Sequence, residues 1–280
     1  MAAARAAADA AASAPVRLSN GTLRSATHTF FGRTFTVAVN DSTSDHATVV
    51  WDASVAFLRW LEHNPRELAR FQNARVLELG AGTGLLGIAL AHAAGARVVL
   101  TDLPHVCAAL EAAVAAEPLP RGAPGTLSVV PYDWSGAADA RVLAAGGGGP
   151  FDIIVGTDVA YSEALNARLV ASAAAFARAA APRVASVIFA NELRCEVAQA
   201  VFDAAARGAF LAKRVPAKAM HPAWRAANML IFKMRVKAGA LKAAARAAGA
   251  GAGASAGAAA AAGDDGSGSG SDEEDADDDE

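Results

Sequence analysis

Residues 76–87 read VLELGAGTGLLG: an apolar run, three alternate glycines, then small and apolar residues again. The run predicts a buried strand and the residues after Thr83 a helix reaching Ala94, where Gly95 stops it. Between them Gly80, Gly82 and Gly84 strip the turn of side chains, so positive φ costs little and a ligand can lie on the backbone at a helix start. The bare loop points to a nucleotide-like cofactor. Gly82, Gly84 and Gly87 also satisfy G-x-G-x-x-G, so this stretch alone does not separate NAD from S-adenosylmethionine.

Working outward, short β-type runs alternate with alanine-rich helical stretches, the pattern of an α/β doubly wound sheet with helices on both faces. Upstream, residues 27–39 alternate and turn at Gly32, which predicts an N-terminal β-hairpin, and residues 49–65 carry Trp51, Val55, Leu58 and Leu61 at helical spacing before Pro65. Core strands are predicted at 75–79, 97–102, 127–134, 151–161 and 184–192, with a helix at 103–117 and a surface loop at 144–150. Residues 208–215 and 227–235 pair as a terminal hairpin. Seven strands ending in that hairpin describe the class I methyltransferase Rossmann-like sheet better than a dehydrogenase. No second domain of comparable size remains for a hydride acceptor.

Over half of the 280 residues are apolar, but much of that is alanine and glycine at the two ends. The folded domain is therefore expected at 27–235, between a disordered Ala-rich arm (1–26) and a disordered Ala/Gly-rich and acidic tail (236–280). Ten acidic and no basic residues fall in 264–280, which leaves residues 1–263 with 25 basic against 18 acidic side chains. Such a tail suits a basic partner and competes with phosphates for the body's cations, so nucleic acid is not the expected ligand. No window of large apolar residues approaches the roughly 18 to 20 that cross a bilayer, so no membrane partner is expected. Cys107 and Cys195 stand in no disulfide or zinc pattern, which suggests a cytoplasmic protein with reduced thiols, the nucleus also being open to it. An organelle transit peptide fits MAAARAAADAAASAP poorly, because it holds one arginine and an aspartate. No metal is indicated: His63 and His221 lack partners at ligand spacing, His105 reads as a surface residue and Cys107 as core-facing.

In doubly wound sheets the ligand sits beyond the C-terminal strand ends, where the winding reverses. The candidates are therefore Gly80 to Gly84, Asp102, Trp134, Thr157 to Tyr161 and Asn191 to Arg194. Asp102, twenty residues beyond Gly82, can accept both ribose hydroxyls of an adenosine; the alternative is a helix N-cap. Glu78, an acid just before the glycines, suits a ligand with an ammonium group and no pyrophosphate. Trp134 can stack near adenine or serve as a packed aromatic.

The segments VWDAS (50–54), VLELGAGTGLLGI (76–88), TDLP (101–104), YDW (132–134) and GTDVAY (156–161) stand in the order and spacing of the family sixteen seven-strand protein-lysine methyltransferases, which residues 40–235 resemble. The glycine loop is shared by many methyltransferases; the other segments together are far more specific. The resemblance implies that Trp51, Gly80, Gly82, Gly84, Asp102, Trp134 and Thr157 contact S-adenosylmethionine. It implies that Asp158 and Tyr161, on the family's D/E-x-x-Y/F motif, are catalytic, and that the acceptor is a lysine on a chaperone, translation factor, calmodulin or AAA ATPase. Thr157 stands where relatives commonly have alanine, and NELRC (191–195) lies in a segment that varies with the target.

Methyl transfer from a sulfonium is an in-line displacement that needs orientation and a neutral nucleophile. A lysine of pKa about 10.4 costs roughly 4 to 5 kcal/mol to deprotonate at pH 7 unless the site helps. Desolvation beside Tyr161 would lower that pKa, and Asp158 could hold the incoming ammonium, or else cap the helix starting near Glu163. Three other readings stay open: a small-molecule or other-residue methyltransferase, a non-catalytic module that binds a partner through its acidic tail, and an NAD-linked dehydrogenase.

Overall fold

The computed structural model describes residues 16–17, 24–39, 46–181, 183–237 and 239. A three-stranded antiparallel sheet comes first, β1 (Val16–Arg17), β2 (Arg24–Phe30) and β3 (Arg33–Val39), followed by α1 (Asp52–His63) and the short α2 (Pro65–Leu68). Strands and helices then alternate: β4 (Arg75–Leu79), α3 (Leu85–Ala94), β5 (Arg97–Asp102), α4 (Pro104–Ala116), β6 (Thr126–Pro131), α5 (Ala140–Ala145), β7 (Ile153–Thr157), α6 (Glu163–Ala179), β8 (Ser186–Glu192) and α7 (Glu196–Ala209). The chain closes with β9 (Phe210–Arg214) and β10 (Met229–Val236).

The main sheet has the order β6-β5-β4-β7-β8-β10-β9. Strands β4 to β8 pair in parallel, and β10 inserts antiparallel between β8 and β9. Parallel strands covered on both faces must be apolar throughout, and their side chains sort by the two-residue period. Val76, Leu100, Ile153, Val155 and Ile188 face α1 and α3, whereas Leu77, Val99, Ile154, Val187 and Phe189 face α6 and α7. After β4 the chain winds outward to β6 and then crosses back to β7, so the C-terminal ends of β4 and β7 lie side by side at the reversal.

The N-terminal sheet is fastened to this body by burial and by two carboxylates. Phe30, Phe35 and Val37 are buried in the core cluster that contains α1. Glu62 accepts the Phe31 amide at 2.7 Å, and Glu117, just past α4, accepts the Thr36 amide at 2.9 Å and the Arg33 guanidinium at 3.0 Å.

The expected seven-strand sheet and N-terminal hairpin are present, with four corrections to their limits. The hairpin begins at Arg24, pairing with Val39, and β1 adds to it, so ordered structure starts before residue 27; the polar Arg24 and Ser25 hid that half of the strand. Strand β7 stops at Thr157 and not at Tyr161, because Asp158 turns to φ 58°. Strand β6 ends at Pro131, which leaves Tyr132 to Trp134 outside the sheet. Helix α7 takes in Gly208, and β10 extends to Val236. Most of the expected arm and tail lies outside the described residues. Among the described residues no helix is long and apolar enough to cross a membrane.

Candidate functional site

A cavity of about 540 Å³ opens at the C-terminal ends of β4, β5, β7 and β8. Its cofactor side begins with the glycine loop. Gly80, Gly82 and Gly84 have φ of 69°, 53° and 78°, in the left-handed region that disfavours any side chain. A Cβ on Gly80 would come 2.8 Å from Val159 and 3.1 Å from the Trp134 ring, both of which line the cavity. Glycine is thus required for the backbone to meet that ring. Gly84 serves the packing instead. It is the N-cap of α3, and a Cβ there would strike Leu110 at 2.6 Å, inside the fold and away from the cavity.

Asp102 ends β5 beside this loop. Its Oδ2 accepts the Gly82 amide at 2.7 Å and its Oδ1 the Leu103 amide at 2.8 Å, so the carboxylate fixes the loop and itself faces the cavity. A carboxylate oxygen can accept more than one hydrogen bond, so these two contacts do not by themselves exclude a diol. Trp134 lines the same wall, its carbonyl accepting Arg168 Nε of α6 at 2.9 Å. Trp51, just before α1, and Thr157 line it too.

Glu78 lies elsewhere, which corrects the expectation that it would contact the cofactor. It is fully buried beneath the loop and does not line the cavity, and a Cβ on Gly87 would fall 2.5 Å from its Oε2. Desolvation, opposed in part by the Gly87 amide and reinforced by Asp102, pushes its pKa up to about 8. Burial thus favours its neutral form, and it does not reach the cavity in which an ammonium would lie. Gly87, the last glycine of G-x-G-x-x-G, makes room for that carboxyl.

The opposite wall is the turn after β7, and it holds no glycine between Thr157 and Tyr161. Asn191 bridges it, its Oδ1 accepting the Val159 and Ala160 amides at 3.1 and 3.2 Å. Asp158 Oδ1 accepts the Glu192 amide at 3.1 Å, and its Oδ2 pairs with Arg194 at 2.6 Å. Its side chain is 3% exposed. The carboxylate expected to receive an ammonium is therefore already engaged by a guanidinium. Nor does it cap the next helix, whose N-cap is Ser162. Arg194 also reaches Glu192 at 2.8 Å and lies 4.5 Å over the Trp51 ring. Burial works against its charge, but Asp158 and Glu192 outweigh that and raise its pKa. Tyr161 stands at the rim, 51% exposed, its phenol pKa raised by burial and by the Asp102 charge.

The structure thus brings together Trp51, Gly80, Gly82, Asp102, Trp134, Thr157, Asp158 and Tyr161, and leaves Glu78 and Gly84 behind the wall. Arg168 escaped sequence reading, because a mid-helix arginine has no local signal, and Arg194 stood among the candidates after β8 without a role of its own. Among the described residues no group of three or more His, Cys, Asp or Glu could hold a metal; His63 and His221 meet edge to face with centroids 5.8 Å apart. Two indoles, a ribose-competent carboxylate and a backbone bared by glycine suit an adenosine carrying a sulfonium.

A lysine methyltransferase family model matches residues 34–213. The protein N-lysine methyltransferase METTL21A of Danio rerio is 39% identical over 117 residues, 42% of this chain and 49% of that protein. The METTL21A of Mus musculus is 38% identical over the same shares of each chain. The EEF1A lysine methyltransferase 3 of Mus musculus is 34% identical over 117 residues, 42% of this chain and 45% of that protein. The chain thus matches about half the length of these curated relatives. The family match runs from β3 into β9 and takes in the glycine loop, Asp102, Trp134 and the turn after β7, so this chain belongs to the lysine methyltransferase family.

Proposed function

We propose that this chain is an S-adenosylmethionine-dependent protein-lysine N-methyltransferase. The observation that carries the reading is the pairing, across one cavity, of a glycine-bared loop locked by Asp102 with an aromatic rim at Trp51 and Tyr161. Bound S-adenosylmethionine supplies an electrophilic methyl group on sulfur. The Gly80 to Gly82 backbone, Asp102 and the two indoles hold the nucleoside, and Thr157 and Tyr161 border the opening through which an amine arrives. Tyr161, half in solvent, shapes and dries that opening, so a lysine entering it loses water and gives up its proton more readily. Its amine lone pair then forms the new N–C bond, the C–S pair returns to sulfur, and the proton goes to solvent. Residues 24–237 form the unit that does this, and the acidic tail contacts a basic partner.

The test is incubation of the purified full chain with a soluble cell extract and S-adenosylmethionine labelled in its methyl group. Label recovered as methyl-lysine after protein hydrolysis is the expected result. Label confined to small metabolites, or calorimetric binding of NAD in place of S-adenosylmethionine, overturns the reading.

A further inference from the structure

Resting on that reading, we propose that Arg194 is a positioning residue that sets the charge met by the acceptor amine. Its guanidinium stands where the amine wall is most acidic, bonded to Asp158 at 2.6 Å and Glu192 at 2.8 Å, and stacked 4.5 Å over Trp51. Two carboxylates facing an aromatic ring form a cradle for any cation. With the cradle empty, a lysine would be held there as ammonium, whose nitrogen has no lone pair to give. Arg194 fills the cradle from within the chain.

The remaining charges around the cavity show how much depends on it. Asp102, Asp133, Asp158 and Glu192 come from the ends of β5, β6, β7 and β8; Arg168 from α6 and Arg194 are the cations. The wall carries a net charge of −2, which becomes −3 without Arg194. Tyr132, Tyr161 and Cys195 are the other titratable groups on the wall, and Asp52 of α1 and Glu196 of α7, the neighbours in sequence of Trp51 and Cys195, do not line it. Arg168 is spent on the Trp134 carbonyl and Asp133, so it does not substitute. One unit of charge within several ångströms moves an amine pKa by about one pH unit at intermediate dielectric. Asn228 donates to the other Glu192 oxygen at 2.9 Å, so Glu192 keeps its place when its charge is removed.

Four proteins test this: wild type, R194Q, R194K and E192Q, each first shown by calorimetry to bind S-adenosylmethionine and by melting to be folded. The rate of methyl-lysine formation in saturating cell extract is followed from pH 6.5 to 9.5. The midpoint of the wild-type profile should move up by about one unit in R194Q, return towards wild type in R194K, and move down in E192Q. In a second arm, n-butylammonium is titrated at pH 7 against tryptophan fluorescence, and R194Q should bind it at least about 5-fold more tightly than wild type. Superimposable profiles for wild type, R194Q and E192Q, or butylammonium binding unchanged in R194Q, overturn the proposal. If R194Q does not fold, the opposite shift of E192Q decides alone. Absence of methyl-lysine with the wild type defeats the parent reading instead, and the butylammonium arm still reports on the cradle.

Discussion

The two walls of the cavity are built by opposite means. After β4 the chain bends with positive φ at Gly80, Gly82 and Gly84, and the wall is made by leaving side chains out. After β7 it bends with positive φ at Asp158, a residue that tolerates this less well than glycine, and the wall is made by side chains engaged across the sheet. One wall presents bare main chain to a ligand common to many enzymes. The other is held by Asn191, Glu192 and Arg194, residues 31 to 36 positions away, so its form depends on the segment after β8, and it meets the first wall where Val159 stands against Gly80.

The largest effect should come from filling the bare wall. Gly80→Val places methyl groups against Val159 and Trp134 and forces a β-branched residue to positive φ, so S-adenosylmethionine affinity should fall by at least about 10²-fold in calorimetry. Retained affinity would mean that the bareness has no bearing on binding. Next comes Asp158→Ala, which removes both bonds of the opposite turn and leaves alanine at φ 58°. Transfer should drop by about 10²-fold while cofactor affinity stays within about threefold, and Asp158→Asn, which tolerates the φ and still accepts the Glu192 amide, should lose much less. Equal loss of cofactor binding in Asp158→Ala would show that the walls are not independent.

A smaller effect lies behind the bare wall. Glu78 has a folded pKa near 8 against 4.5 in the unfolded chain, so between those values the unfolded state releases a proton that the folded state keeps. Stability therefore falls as pH rises from about 4.5 to 8 and levels off above. Glu78→Gln removes this slope, so its melting temperature should gain on the wild type by several degrees between pH 5 and pH 8. Parallel melting curves would place the Glu78 proton elsewhere. The smallest effect concerns neither wall: a chain ending at Lys237 should keep its cofactor affinity and melt within about 1 °C of the full chain, because an Ala/Gly and acidic segment has no core to contribute.

What could be read in the sequence divides along the same line. The β4 run, the glycines and Asp102 announce themselves locally, since an apolar strand, a side-chain-free turn and an acid at the next strand end need no knowledge of distant partners. Asp158 was visible as a residue but not in its condition, because its guanidinium arrives from 36 positions later. Glu78 misled for a related reason: in a strand covered on both faces, spacing to the glycines does not tell a carboxyl that enters the cavity from one enclosed under the loop. The polar start of β2 was missed because alternation is read from apolar residues, and Arg24 and Ser25 offer none.

The two carboxylates that fasten the N-terminal sheet carry a consequence for the order of assembly. Phe31 waits for Glu62, 31 residues on, while Arg33 and Thr36 wait for Glu117, 84 and 81 residues on. On the ribosome β2 and β3 therefore emerge before the groups that secure them, since α4 must be complete and in place before the acid that follows it can reach back. Until then the pair β2 and β3 is an isolated ribbon, a form marginal in water on its own. Synthesis ahead of its anchors leaves this ribbon open to a chaperone or a protease.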